Sequence, residues 1–598
     1  MHRTAHLDTF ARDNLPPQDQ WPALVFDLPE LQFPERMNCS WDLLDRWVAQ
    51  GQGGRTAVIG GGNGNGAGVA GADGRDGRDG PDGPDGPDGP DGDIRWTYAE
   101  LQSQANRIAH VLVNELGVVP GNRVLLRGAN TPQMAACWFA VMKAGAIAVA
   151  TMPLLRAKEL GQVIDKARVS HALCDAALAD ELEAARAQCP VLARVCLFRS
   201  DAPDGLEALA ERQSASFENV DTASDDCSLI AFTSGTTGQP KGTMHFHRDV
   251  IAICRCWPVH CLRARADDVF IGSPPLAFTF GLGGLLLFPL SVGATAVLLE
   301  KASPDALLPA IEKHRATVCF TAPTSYRAMA AAIAARATSS SPGPGTEAVK
   351  ACDLSSLRKC VSAGEALPAA TRQLWKDTTG LEMIDGIGAT EMLHIFVSHT
   401  EETARPGATG KPVPGYRARV VDDEGNEVPQ GSVGKLAVQG PTGCRYLADE
   451  RQRKYVQHGW NLTGDAYLVD ADGYFVYQAR TDDMIISGGY NIAGPEVESA
   501  LLAHPAVAEC AVVGVPDEER GQVVKAFVVL KPGIIGDSAA TAAPGAGGAA
   551  GEAALIKAMQ DFVKATIAPY KYPRAIEFRA SLPRTETGKL QRFRLREQ

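Results

Sequence analysis

Between Tyr98 and Cys174 the chain alternates between apolar residues at helical spacing and short apolar runs, and this alternation restricts the fold more than any other feature. Leu101, Ala105, Ile108 and Leu112 recur every three or four positions, and Gly117 then stops the helix. Val124-Leu125-Leu126 reads as a strand, Pro132 to Lys143 as a helix and Ala146 to Thr151 as a strand. Arg156 to Arg168 reads as a helix and Ser170 to Cys174 as a further strand. Repeated strand–helix–strand units predict an α/β protein with mostly parallel β-sheets flanked by helices on both faces. A length of 598 residues exceeds what one core can serve, so more than one domain is expected.

Three segments break the alternation. Gly51 to Asp93 is Gly- and Asp-rich, Thr338 to Thr346 is rich in Ser, Pro and Gly, and Gly533 to Gly551 is rich in Ala and Gly. They bury too little apolar area to offset chain entropy and are expected to be disordered or flexible surface insertions. The first ends in a G-x-y run, Gly83-Pro84-Asp85 and its repeats, which raises a collagen-like reading. The run is short and carries Asp at nearly every third position, so three close chains would repel one another.

Charge and cysteine content exclude several classes. A net charge of −12 argues against nucleic acid as the main partner, which needs a basic face. Val269 to Leu299 carries no charge, yet Pro274, Pro275 and Pro289 disfavour a spanning helix, so no membrane association is expected. No apolar run follows a basic patch at the start, so no signal segment is read there. None of the 14 cysteines forms a CxxC pair. The cluster of Cys254, Cys256 and Cys261 fits no ordinary zinc spacing, so buried free thiols in a reducing, cytoplasmic setting are expected.

The strongest chemical signal is Thr233-Ser234-Gly235-Thr236-Thr237-Gly238-Gln239-Pro240-Lys241-Gly242, directly after the apolar run Ser228 to Phe232. Four hydroxyls, three glycines and a lysine in ten residues make a donor-rich loop suited to polyphosphate. Glycines admit close backbone approach and Lys241 adds charge. The spacing is not that of a Walker A loop.

With this loop the chain resembles the adenylate-forming superfamily of acyl-CoA synthetases, adenylation domains and luciferases. Further matching segments follow in the order of that family. They are Ser362-Ala363-Gly364-Glu365, Ile387-Gly388-Ala389-Thr390-Glu391, Thr463-Gly464-Asp465, Arg480-Thr481-Asp482-Asp483 and Pro583-Arg584-Thr585-Glu586-Thr587-Gly588-Lys589. The resemblance implies an N-terminal adenylation domain over 1–479 and a small, mobile α+β C-terminal domain over 480–598. It implies an AMP-forming acid:CoA ligase that uses ATP, Mg²⁺ and coenzyme A.

By the same resemblance, Thr233 to Gly238 and Lys241 would hold the phosphates. Ala363, Gly364, Glu365, Asp385, Gly386, Ile387, Gly388 and Thr390 would line the rest of the ATP site. Asp465 and Arg480 would bind the ribose hydroxyls, and Thr236 with Glu391 would hold the metal. Lys589 would place an ammonium between the attacking carboxylate and the α-phosphate, where a preorganised charge is typically worth about 3 kcal/mol or more. Asp482 would be the hinge about which the small domain turns, and Gly488-Gly489 would line the CoA channel.

Phe278, Thr279, Phe280 and Gly281 lie where the family places a substrate gate, with Gly386, Ile387 and His394 opposite. Apolar faces with a glycine between them suit a flat ring. The run Asp385 to Phe396 looks like the benzoate-CoA ligase branch. His6 to Pro17 and Tyr490 to Glu496 look most like 2-aminobenzoate-CoA ligases, and His394 or Thr279 would contact an ortho amino group. The implied partners are therefore a small aromatic carboxylic acid, ATP and CoA, with a homodimer open as the assembly.

Three positions depart from the wider pattern: Ile387 in place of a tyrosine, Ala479 in place of a glycine, and Gly440 to Tyr446 in place of a G-Y-W-N-like segment. They are read as bearing on substrate detail and not on phosphate chemistry. The rival reading is a stand-alone adenylation enzyme that loads the acid onto a carrier protein.

Overall fold

The computed structural model describes residues 2–61, 93–233, 240–339, 352–481, 483–487, 490–517, 520–532, 534, 549–584 and 590–596. Among them the chain forms a large N-terminal α/β domain and a small C-terminal domain. The α/β alternation expected between Tyr98 and Cys174 is present throughout. Strands Arg123–Arg127, Ile147–Thr151, His171–Asp175, Arg194–Phe198 and Cys227–Thr233 lie parallel in one sheet, with Lys241–Phe246 added antiparallel.

Local chemistry sets the intervening helices. Tyr98–His110 opens on a capping box in which Thr97 and Glu100 satisfy each other's backbone N–H. Pro132–Lys143 starts at Thr131, whose hydroxyl accepts from the Met134 N–H, and ends before Gly145 in the left-handed region. Almost every residue of that helix is buried, because it is wedged between layers. Its Lys143 is 1% exposed and is paired with Asp45, whose carboxylate also accepts from Gln102 and Asn219. That set of donors is what makes a buried charge tolerable.

The second large sheet has nine strands. Thr56–Gly61, Thr295–Leu298, Val269–Gly272, Val318–Thr321, Lys359–Ser362 and Met383–Gly388 run parallel, with antiparallel strands at both edges. Here the insertion expected over Gly51 to Asp93 needs correction. Thr56-Ala57-Val58-Ile59 is a buried strand of this sheet, and Asp93–Thr97 pairs beside it, so only 62–92 lies outside the described residues. Thr56, Val58 and Ile59 are strand formers, and pairing on both sides outweighs the glycines around them. Likewise helix Pro323–Ser339 runs into the second segment, and helix Ala549–Thr566 starts within the third.

An antiparallel sheet built on Trp460–Val469 and Phe475–Arg480 closes the large domain. The small domain carries strands Ile485–Ser487, Tyr490–Ile492, Val507–Asp517, Gly521–Leu530 and Ala575–Phe578 against helices Gly494–Leu502 and Ala549–Thr566. All 14 cysteines are free, and all but Cys352 and Cys510 are buried, as expected. Burial pushes the Cys256 and Cys261 thiols up to about 12, and no metal-binding cluster occurs among the described residues. No described helix is long and apolar enough to cross a membrane.

Candidate active site

The C-terminal ends of the parallel strands in the nine-stranded sheet open onto one cleft, where ligand sites of such sheets lie. Beyond Val269–Gly272 the chain brings in Phe278, Thr279 and Phe280. Beyond Lys359–Ser362 it brings Ala363 and Gly364, and at the end of Met383–Gly388 it brings Gly388, Ala389 and Thr390. His394 and Ile395 close the far wall of a cleft that opens to solvent. A second, narrow apolar recess adjoins it, sharing Phe278 and Thr279 and reaching Trp138, Ala148 and Leu229.

Phe278, Thr279, Phe280 and His394 therefore line the cleft together. Gly281 and Gly386 do not. A Cβ at Gly281 would lie 2.1 Å from the Pro275 carbonyl oxygen, and one at Gly386 would lie 2.7 Å from Cγ2 of Ile395. The room expected beside Gly386 is filled by Ile395, while Ile387 packs against the core. These glycines permit close packing behind the wall.

His394 is 3% exposed, with its ring 4.4 Å from Phe288, 5.7 Å from Phe280 and 5.9 Å from Trp257. Burial among these aromatics drives its pKa down to about 3, so the imidazole is neutral. Nε2 lies 3.4 Å from the Phe280 carbonyl, whereas Nδ1 has no hydrogen-bond partner among the described residues. Leu393, just before it, has φ +68°, a strained value for a branched residue.

At the candidate phosphate end, Thr233 pairs with Lys241 on the antiparallel strands Cys227–Thr233 and Lys241–Phe246. Ser234, Gly235, Thr236, Thr237 and Gly238 lie outside the described residues, as do Asp482, Gly488, Gly489 and Lys589. Glu391 is on the short turn Thr390–Met392, and the Thr390 carbonyl is held by Nε2 of His245 at 2.8 Å. The Tyr446 hydroxyl donates to Oε1 of Glu391. Gly440 to Tyr446, read as remote from phosphate chemistry, thus touches one of its candidate groups. A lone tyrosine between two strands has no spacing that would mark it. Behind this shell, Arg445 and Asp249 form a fully buried pair at 2.7 Å. Burial favours the neutral acid there, but Arg445 and His245 outweigh it and hold the Asp249 carboxyl well below the usual range.

Asp465 and Arg480 occupy facing positions on paired strands, 3.0 Å apart. Asp385 sits behind Gly386 at 8% exposure, and burial lifts its pKa to about 7 against the opposing pull of Arg372. Gly364, at φ +91°, makes the turn that exposes Ala363 to the cleft. Glu365, the next residue, stands 3.6 Å from Arg584 of the small domain.

Residues 76–446 match the model of the AMP-binding enzyme, and 496–589 match that of the AMP-binding enzyme C-terminal domain. The chain belongs to the AMP-binding enzyme family. This AMP-binding enzyme is 35% identical to the benzoate–CoA ligase of Thauera aromatica, over 95% of its own length and 97% of the relative's. It is 31% identical to the 4-hydroxybenzoate–CoA/benzoate–CoA ligase of Rhodopseudomonas palustris, with 94% of each chain covered. Among solved structures it resembles the anthranilate CoA ligase AuaEII in complex with anthranoyl-AMP, at a TM-score of 0.80 and 34% identity over 95% and 98% of the two chains. The AMP-binding enzyme is an AMP-forming acid–thiol ligase, whose co-substrates in this family are ATP and CoA.

Proposed function

We propose that this ligase activates an aromatic acid, 2-aminobenzoate or benzoate, as the acyl-adenylate and transfers it to CoA. The observation that carries the proposal is the cleft itself: phenyl faces, a neutral His394 and an unmet Nδ1. With Nε2 donating to Phe280, Nδ1 is an acceptor. An ortho amino group supplies the missing donor, and a buried acceptor left unpaired costs about 1–3 kcal/mol. The resemblance to benzoate and anthranilate ligases supports the same acid class.

In the first half-reaction a carboxylate oxygen bonds to the α-phosphorus of ATP and the bond from that phosphorus to the bridging oxygen breaks, releasing pyrophosphate. Lys589 would stand between the two anions and Lys241 on the phosphates. Asp465 and Arg480 would hold the ribose. Ala363 and Gly364 would border the adenine. Glu391 fits a hard cation, because Tyr446 occupies one carboxylate oxygen and no described residue takes the other. With Thr236 it would hold Mg²⁺, which when bound neutralises phosphate charge.

The small domain would then turn about Asp482, at the proposed boundary between 1–479 and 480–598, and Gly488-Gly489 would border the thiol's approach. The CoA sulfur bonds to the acyl carbon, its proton is lost, and AMP leaves. Pyrophosphate release measured across aryl and alkyl acids, with and without CoA, tests this reading. Sustained CoA-dependent turnover on an aryl acid supports it. A single burst that CoA does not extend would favour transfer to a carrier protein.

A further inference from the structure

We infer that Tyr446 is a positioning residue for nucleotide binding, presetting Glu391 for the divalent cation while holding Lys241 apart from it. The inference rests on the reading of Glu391 as a metal ligand. Tyr446 is 0% exposed, and its hydroxyl donates to Oε1 of Glu391. The Lys241 ammonium lies 5.4 Å over the centroid of the same ring. One side chain therefore touches the anion that would meet the metal and the cation that would meet the phosphates.

Each half of this arrangement has a physical purpose. A carboxylate on a short turn rotates freely unless something fixes it, and the hydrogen bond to Oε1 leaves the second oxygen available to a cation. A tyrosine makes that bond without bringing a competing charge. Without the ring, Lys241 and Glu391 would be drawn to each other, and each would be lost to the nucleotide. The cation over the ring is held weakly enough to be yielded to phosphate. Support comes from behind as well: Tyr446 packs edge-on against Tyr455 at 5.7 Å, and its backbone N–H donates to Gln452 at 2.9 Å.

The test is the gain in ATP affinity that Mg²⁺ confers, measured by calorimetry on the full chain with and without the metal. This quantity reports coupling between metal and carboxylate, which a purely structural role of Tyr446 would not move. Glu391→Gln is expected to abolish the gain. Tyr446→Phe, which keeps the ring, is expected to cut it at least fivefold while leaving metal-free ATP affinity unchanged. Adding Tyr446→Phe to Glu391→Gln is expected to change nothing further. Tyr446→Leu, which also removes the ring, is expected to weaken metal-free ATP binding as well. If Glu391→Gln loses the gain and Tyr446→Phe keeps it, the positioning role is wrong. If Glu391→Gln keeps the gain, the reading of Glu391 fails and the inference fails with it.

Discussion

Arg480 Nη1 lies 3.0 Å from Oδ1 of Asp465 and 3.0 Å from the carbonyl oxygen of Thr463, so one guanidinium fixes both ends of a tight turn. Gly464, between them, sits at φ +77°, and a Cβ there would fall 2.6 Å from Arg480 Nη2. The two candidate ribose contacts thus form one preset unit.

Asp465→Asn is expected to weaken ATP binding about ten- to a hundredfold, the range for losing a charge-assisted hydrogen bond of about 1.5–3 kcal/mol. Because the pair acts together, Arg480→Gln in that background should cost much less than it does alone. Calorimetric ATP titration of the two single variants and the double variant measures this, and full additivity would show two independent contacts.

At the other end of the cleft, His394→Leu is expected to reduce the preference for 2-aminobenzoate over benzoate by up to roughly tenfold, the worth of one neutral hydrogen bond. Competition kinetics with the two acids read this ratio. An unchanged ratio would assign ring-substituent recognition to Thr279.

Asp385 supplies a pH signature. Its folded-state pKa of about 7 exceeds the ordinary carboxyl value, so the folded chain binds the proton more tightly than the unfolded chain does. The resulting stability is fully present below about pH 4 and is lost as pH rises through about 7. Asp385→Asn should flatten that decline, and the wild-type minus variant difference should fall by up to a few kcal/mol across the window. Urea unfolding at a series of pH values measures it.

Arg584 reaches from the small domain to Glu365 at 3.6 Å and to Glu509 of its own domain at 2.7 Å. The pair is partly exposed, so Glu365→Gln is expected to slow adenylation only a few-fold. Transfer from preformed acyl-adenylate to CoA should be unaffected. Pyrophosphate exchange and single-turnover thioester formation, measured separately, distinguish the two steps.

Much of this was legible in the sequence because it is periodic or motif-borne. The strand–helix alternation from Tyr98 to Cys174 and the free buried thiols follow from local patterns, whereas Ala363, Thr390 and Asp465 were marked only by resemblance to family motifs. What was not legible depends on contacts distant in the chain. Ile395 fills the space beside Gly386, and Trp257 and Phe288 enclose His394 from a helical region far from it in sequence. Tyr446 reaches Glu391 across a gap of 55 residues. Thr56 to Gly61 was obscured by the glycines beside it, and its burial is decided by the neighbouring strands.

The central claim, aryl-acid activation followed by transfer to CoA, is tested most directly by pyrophosphate release with ATP and Mg²⁺ across 2-aminobenzoate, benzoate, hydroxybenzoates and mid-chain alkyl acids, with and without CoA. The account predicts sustained, CoA-dependent turnover on 2-aminobenzoate or benzoate and little on the alkyl acids. Turnover confined to alkyl acids would contradict the aromatic reading of the cleft, and a burst that CoA does not extend would contradict CoA as the acceptor.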